Sequence, residues 1–317
     1  MKRIGITIGD INGIGPEVVL KAVNQDYTDE VEFILYGSAS ILHQQADAMG
    51  LTLCDKLSIV DVGEATWQPG VLDVEAARLA EAAIQAAVEA CMQDRCDAMV
   101  TAPLSKEGLL AAKIAFPGHT EMLAALTHSK QVGMMLIGGG LRVVLATRHI
   151  ALSTVAEAIT PAVLREAVSL TDEALAWFGE GREIGVCGLN PHAGDGGALG
   201  EEEQRTINPT LMELRNEGYA VSDALAGDTL FYQAQQGAYD AVIAMYHDQG
   251  LAPLKLVAFD EGVNLTLGLP IVRTSPDHGT AYSIAGKNQA SPGSMIAAIR
   301  TAITLADKHN PWRKKHN

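Results

Sequence analysis

The chain has 317 residues, 48% of them apolar, and a formal charge of −15. That length accommodates about two domains of roughly 150 residues with an ample core, and the composition argues against disorder. The acidic balance argues against nucleic-acid backbones, whose recognition rests on Lys and Arg neutralising phosphates, but leaves open an anionic small molecule met by locally gathered cations.

The opening MKRIGITIGD reads as a first strand interrupted by Gly9 and Asp10, not as a signal peptide. No apolar run approaches the ~20 residues that span a bilayer. Cys54, Cys91, Cys96 and Cys187 form no CxxC pair, so they read as buried thiols of a reducing compartment. A soluble cytoplasmic protein is expected.

Strand-like runs then alternate with helical patterns: RIGITIG before a helix over 16–23, VEFILYG before 38–49, and LSIVDVG before 73–92. The third helix has Asp73 as N-cap and an apolar stripe at Ala80, Ile84, Val88 and Cys91. DAMVTAP follows as another strand. The alternation predicts parallel strands with helices on both faces. VGMMLIGGGLRVVLAT departs from it, reading as a hairpin around Gly138, Gly139 and Gly140 that makes the sheet mixed or forms an arm used in association. Alternation resumes with a helix over 161–177, a strand before His192, a helix broken near Asn208-Pro209 and ended at Gly218, and a strand before His247. The tail DKHNPWRKKHN reads as a solvated end, where Arg313, Lys314 and Lys315 are available to an anion.

His149, His192 and His247 each stand just past a strand-like run, so all three emerge at strand C-terminal ends. In open α/β sheets that edge is where ligands bind. Imidazole is the commonest metal-donating side chain and the natural proton carrier near neutral pH. Each histidine alone reads as readily as a satisfied polar residue, and the spacing forms no local signature. Yet NPHAGDGG, MYHDQG and PGHTE each set a histidine beside glycine or proline, the composition of turns that present a polar group. Three converging imidazoles would suggest a metal.

GDINGIGPE follows the first strand and opens a helix, as a dinucleotide loop does. It fails in detail: Val18 stands where the third glycine belongs, and Glu17 would repel a pyrophosphate. Pro16 fits a first helical position and Glu17 complements the helix dipole. TSPDHGTAYSIAGK is a glycine-rich, hydroxyl-bearing loop whose amides can hold phosphate or adenine, or which is shaped for packing alone. Between them, MYHDQGLAPLKLVAFDEGVNLTLGLPIVRTS gathers His247, Asp248, Lys255, Asn264 and Arg273. Lysine is a mobile point charge that can move a proton, whereas arginine clamps carboxylate or phosphate in a fork.

GDINGIGPE, TAPLSKE, FPGHTE, NPHAGDGG, DTLF, AMYHDQGLAPLK, GVNLTLGLP and RTSPDHGTAYSIAG, in order over nearly the whole chain, resemble the motifs of the 4-hydroxythreonine-4-phosphate dehydrogenase family. The resemblance implies an α/β protein of two α/β/α domains of isocitrate/isopropylmalate dehydrogenase type, with the active site in the cleft between them. A cofactor-side domain would comprise 1–118 and 268–317, and a central substrate, metal and dimerisation domain 119–267.

The resemblance further implies NAD on the loop His278, Gly279, Thr280 and Ala281. It places one divalent ion (zinc, magnesium, cobalt or manganese) on His149, His192 and His247, with both subunits of a homodimer contributing. Substrate contacts carry over to His119, Thr120, Lys255, Asn264 and Arg273. The implied reaction passes hydride from a secondary alcohol β to a carboxylate, after which the keto acid loses carbon dioxide. Lys255 or Asp248 would handle the alcohol proton, with Asp228 of DTLF a further candidate near the metal. Because the hairpin leads into His149, His149 and His247 are expected to reach one ion from different chains.

Ile11 and Asn12 depart from the Pro-Ala pair usual in GDPAGIGPE, while TAPLSKE and RHIAL resemble the branch acting on 4-phosphorylated threonate or erythronate. The substrate reading is therefore 4-hydroxythreonine 4-phosphate in pyridoxal phosphate biosynthesis, with the sugar-acid phosphates as the alternative. A terephthalate dihydrodiol dehydrogenase, a non-catalytic anion-binding relative and a phosphate acyltransferase rank behind.

Overall fold

The computed structural model describes residues 1–27, 30–54, 57–179 and 181–313, so Lys314 and Lys315 of the basic tail lie outside the described residues. Arg313 is described and pairs with Asp94.

The fold is mixed α/β. In chain order the elements begin β1 (Lys2–Thr7), α1 (Gly15–Val23), β2 (Val31–Gly37), α2 (Ala39–Met49), β3 (Leu57–Asp61), α3 (Val74–Met92), β4 (Ala98–Thr101), α4 (Lys106–Ala111) and α5 (His119–Leu126). There follow β5 (Gly133–Gly138), β6 (Leu141–Leu145), α6 (Val155–Ala158), α7 (Pro161–Phe178), β7 (Ile184–Cys187), α8 (Asn208–Asn216), β8 (Val221–Leu225), α9 (Gly227–Gln235), β9 (Ala241–Ala244) and α10 (His247–Ala258). The chain closes with β10 (Val263–Leu267), β11 (Arg273–Pro276) and α11 (Gly293–Ala306).

Two compact units divide the chain, Met1–Lys130 with Leu269–Asn317 and Gln131–Gly268. Residues 119–130, placed with the central domain by the sequence reading, therefore lie in the first unit. There the strand order is β3-β2-β1-β4-β11, and every pairing is parallel. Parallel strands are buried on both faces, and β4 is buried throughout. Asp73 caps α3 as its side chain accepts the Ala76 N–H at 2.9 Å.

In the second unit the order is β10-β5-β6-β9-β7-β8, antiparallel across β10, β5 and β6 and parallel from β6 onward. The hairpin expected around the three glycines is β5–β6, with Gly138 opposite Leu141. Its two loop residues have φ of +56° at Gly139 and +80° at Gly140, the positive pair that a two-residue turn between twisted strands demands. Thr160 caps α7, whose first turn holds Pro161, and Gly179 ends it in the left-handed conformation. The helix expected to break near Asn208-Pro209 changes type there, from the π-helical turn Glu203–Ile207 to α8 with Pro209 in its first turn. Leu136, Val143, Val242, Leu230, Leu251 and Leu254 form the core beneath the strand ends that carry His149 and His247. Among the described residues no helix is long and apolar enough to cross a membrane.

Candidate functional site

The first unit gathers cations around a buried strand end. Arg273 opens β11, is 2% exposed, and donates from Nε and Nη2 to the Thr101 hydroxyl at 3.1 and 2.5 Å. Burial lowers the guanidinium's pKa, a penalty that a bound anion would relieve. His119 begins α5 with its Nε2 atom out of solvent and without a hydrogen-bond partner. Burial, then the charges of Arg273 and Lys106, hold its pKa well below the usual 6.5, so the ring is neutral near neutral pH. Thr120 is half-buried beside it.

That neutrality has a consequence for acid stability. Below about 6.5 the unfolded chain binds a proton at His119 that the folded chain refuses, so stability falls as pH drops from there towards the depressed folded value. Thermal unfolding across pH 7 to about 5 is expected to show a smaller acid loss in a His119→Gln protein than in wild type. Equal losses would mean that His119 is not held neutral.

Two hydroxyls escaped the sequence reading. Thr101 receives the Arg273 bonds, and Thr7 lies beside it in register with a buried, unpaired hydroxyl. Both end the strand runs ITIG and MVTAP, the same kind of position that singles out the histidines.

The loop with His278, Gly279, Thr280 and Ala281 is braced from below by GDINGIGPE. The Thr280 carbonyl accepts the Ile14 N–H at 2.9 Å, and Tyr282 donates its hydroxyl to Asp10 Oδ2 at 2.5 Å. Asp10 is buried, and that burial raises its carboxyl pKa against the lowering by Tyr282. Glu17 accepts the Ala290 N–H and the Lys21 ammonium, both at 2.8 Å, so its buried carboxylate ties down the chain beyond this loop as well as facing a helix start. Asn12, where the motif departs, is buried and accepts the Gln68 N–H at 2.7 Å while donating to the Val71 carbonyl at 3.0 Å. Ala281 adopts φ +43°, and His278 donates from Nδ1 to the Gly279 carbonyl, leaving Nε2 buried and unpaired.

In the second unit the structure brings His149 and His247 of one chain together, with ring centroids 5.4 Å apart. Rings this close within one chain are placed to serve one ion together, whereas the sequence assigned them to different chains. The turn after β6 and the first residue of α10 are neighbours because β6 and β9 are paired. Asp248 Oδ1 lies 2.7 Å from His247 Nδ1, which orients the ring and leaves Nε2 as the donor atom. Asp248 thereby has a partner of its own. Lys255 is half-buried in the last turn of α10. Asn264 on β10 donates to Met134 Sδ at 3.0 Å and has an unpaired, buried Oδ1. Asp228 is exposed in the first turn of α9.

His192 does not join the pair. Among the described residues no three of His, Cys, Asp and Glu stand close enough to hold a metal ion. Two neighbouring imidazoles, one oriented by a carboxylate, suit a divalent cation whose remaining donors come from elsewhere. Buried polar atoms are nearly always paired in native proteins. The unpaired His119 Nε2, Asn264 Oδ1 and His278 Nε2 belong to residues already singled out for substrate or cofactor, which suits groups that await a ligand.

The family model for the pyridoxal phosphate biosynthetic protein PdxA matches residues 14–302. A 4-hydroxythreonine-4-phosphate dehydrogenase of Geobacter metallireducens is 42% identical, over 96% of this chain and 95% of that protein. A D-threonate 4-phosphate dehydrogenase of Salmonella typhimurium is 38% identical, over 96% of this chain and 99% of that one. The crystal structure of a 4-hydroxythreonine-4-phosphate dehydrogenase from Klebsiella pneumoniae superposes with a TM-score of 0.87 at 34% identity, covering 96% of this chain and all of that one.

Proposed function

This chain belongs to the PdxA family of pyridoxal phosphate biosynthetic proteins, and from that premise we propose that it oxidises, and thereby decarboxylates, 4-hydroxythreonine 4-phosphate with NAD. A fold of isocitrate/isopropylmalate dehydrogenase type is part of this reading. The observation that carries the substrate class is the buried Arg273 beside a neutral His119 with an unpaired Nε2, in a chain of charge −15. A desolvated guanidinium fork and a neutral imidazole donor suit a phosphate dianion. Similarity at 42% and 38% to relatives of both specificities keeps D-threonate 4-phosphate as the second reading.

Each residue has a physical role in this proposal. Arg273, His119 and Thr120 hold the phosphate, and Asn264 offers its free carbonyl oxygen to a substrate hydroxyl or amine. His149 and His247 are donors to a divalent cation, with Asp248 fixing the His247 ring. With Asp248 engaged in this way, Lys255 is assigned the alcohol proton. Asp228 keeps no role beyond a solvent-side carboxylate. The loop from His278 to Ala281 receives the coenzyme. When bound, the cation supplies Lewis acidity and the nicotinamide a hydride acceptor.

The deciding experiment follows the reduced-nicotinamide absorbance with 4-phosphohydroxythreonine, 4-phosphothreonate and 4-phosphoerythronate in parallel, with NAD and NADP compared. Highest kcat/KM on the amine-bearing substrate is expected. Preference for a sugar-acid phosphate would move the protein to the second reading, and no reduction with any of them would end both.

The active unit in this reading is a homodimer in which His192 from a second copy completes the donor set of His149 and His247. Mixing inactive His149→Ala and His192→Ala proteins under subunit exchange is then expected to recover about one quarter of wild-type activity, because each heterodimer carries one intact site. His149→Ala mixed with His247→Ala should recover none. Recovery in the second mixture but not the first would reverse the assignment.

A further inference from the structure

His192 stands in a backbone conformation that a chain of L-residues holds only with help. φ is +53° at His192 and Ala193, +82° at Gly194, +43° at Asp195 and +65° at Gly196, a continuous left-handed run. His192, Ala193 and Asp195 carry a Cβ, which that hand crowds against the following carbonyl. Glycine tolerates the conformation at no such cost, but only two of these positions have it. The tip is exposed at His192, Asp195 and Gly196, so core packing does not explain why the chain keeps this shape.

The brace lies beneath it. Glu203, 1% exposed, begins the π-helical turn Glu203–Ile207. Its Oε1 accepts the backbone N–H of Asn190 at 2.8 Å and its Oε2 accepts the Asn190 side-chain amide at 2.9 Å. Asn190 launches the left-handed run, since its carbonyl accepts the Ala193 N–H at 3.1 Å. The carboxylate fills space that glycines leave: a Cβ would come within 2.6 Å of Oε2 at Gly194 and 3.1 Å of Oε1 at Gly188. Glu202 also accepts from the Asn190 amide, at 2.7 Å. Asn190 therefore cannot turn its amide over to suit a neutral residue at 203 without aiming an oxygen at that second carboxylate.

We propose that Glu203 is the positioning residue for His192: acting through Asn190, it holds the left-handed turn so that the exposed imidazole meets a divalent cation in one orientation. A buried charge beneath an exposed tip serves the tip. Strained backbone persists where the surroundings over-determine it, and such places concentrate at functional sites. The proposal rests on reading His192 as a metal donor, and its test separates the two.

The full-length protein, stripped of metal with a chelator and dialysed, is titrated with Co2+ and followed by visible absorption and calorimetry. Glu203→Gln is expected to weaken Co2+ binding by about 10- to 100-fold, the usual cost of losing a group that orients a ligand. Asn190→Ser, which keeps the backbone bond to Glu203, should weaken it by roughly fivefold. Ala193→Gly in the Glu203→Gln background should regain part of the loss, because glycine accepts positive φ without the brace. Amides of 192–197 should exchange hydrogen faster in metal-free Glu203→Gln than in metal-free wild type.

Wild-type Co2+ affinity in Glu203→Gln would overturn the proposal, as would a lowered melting temperature with unchanged affinity, which marks a structural role only. Should Glu203→Gln fail to fold, Asn190→Ser decides on the same criterion. If His192→Ala binds Co2+ as wild type does, the donor assignment itself falls and the proposal falls with it.

Discussion

Replacing His247 by alanine is expected to lower kcat by at least ~10³-fold while leaving the melting curve close to that of wild type. The magnitude follows from Lewis-acid stabilisation of several kcal/mol, of which about 4 correspond to three decades in rate. The tolerance of the fold follows from position: His247 is the half-buried first residue of α10, outside the apolar core of Leu230, Val242, Leu251 and Leu254. Asp248→Asn should fall between, at roughly 10- to 100-fold, since it removes the group that orients the ring and leaves the ring in place. Prolonged chelation followed by dialysis should reproduce the His247→Ala phenotype in wild type, and added cation should reverse it. Full turnover of metal-free wild type would remove the cation from the mechanism.

The strand-end position of that histidine is legible in the amino-acid sequence. Val, Ile and Met runs bounded by Gly, Pro and Asp mark the alternating elements, and Asp73, Pro161 and the Gly139-Gly140 turn announce their own geometry because each acts through a local backbone preference. Relations between distant segments stay hidden. Nothing local in HAGDG announces an unbroken left-handed run, since Ala193 ordinarily avoids that region and Asp visits it as a single residue, not in runs, and nothing in EEEQRTI tells the buried Glu203 from its exposed neighbour Glu201. Glu17 reads as a residue facing a helix dipole, but its carboxylate reaches Ala290, far along the chain. Asn12 likewise reads as a departure from a motif, while its side chain pins Gln68 and Val71. The proximity of His149 and His247 within one chain is hidden for the same reason. The hairpin suggests association, but the register of β6 on β9 decides which turn lies beside His247.

Arg273→Ala is expected to cost about 10²- to 10³-fold in kcat/KM on the phosphorylated substrate and almost nothing on its dephosphorylated counterpart. Charge-assisted hydrogen bonds contribute roughly 1.5–3 kcal/mol each, and a guanidinium fork offers two to one phosphate, which sets the range. In the proposed substrate the phosphate takes no part in the bond changes, so its binding energy can be used to position the alcohol, and part of the loss should fall on kcat. Arg273→Lys should recover only part of it, because a mobile ammonium does not reproduce the planar fork that the Thr101 hydroxyl aligns. His119→Ala should cost less than Arg273→Ala, since a neutral imidazole donates a single uncharged hydrogen bond. Wild type itself should discriminate against the dephosphorylated substrate by a factor similar to the Arg273→Ala loss, because the missing dianion leaves the same buried cation without its ligand. An equal loss on both substrates in Arg273→Ala would mean that Arg273 acts by holding the β4 strand end through Thr101, and the phosphate would then have to be sought elsewhere.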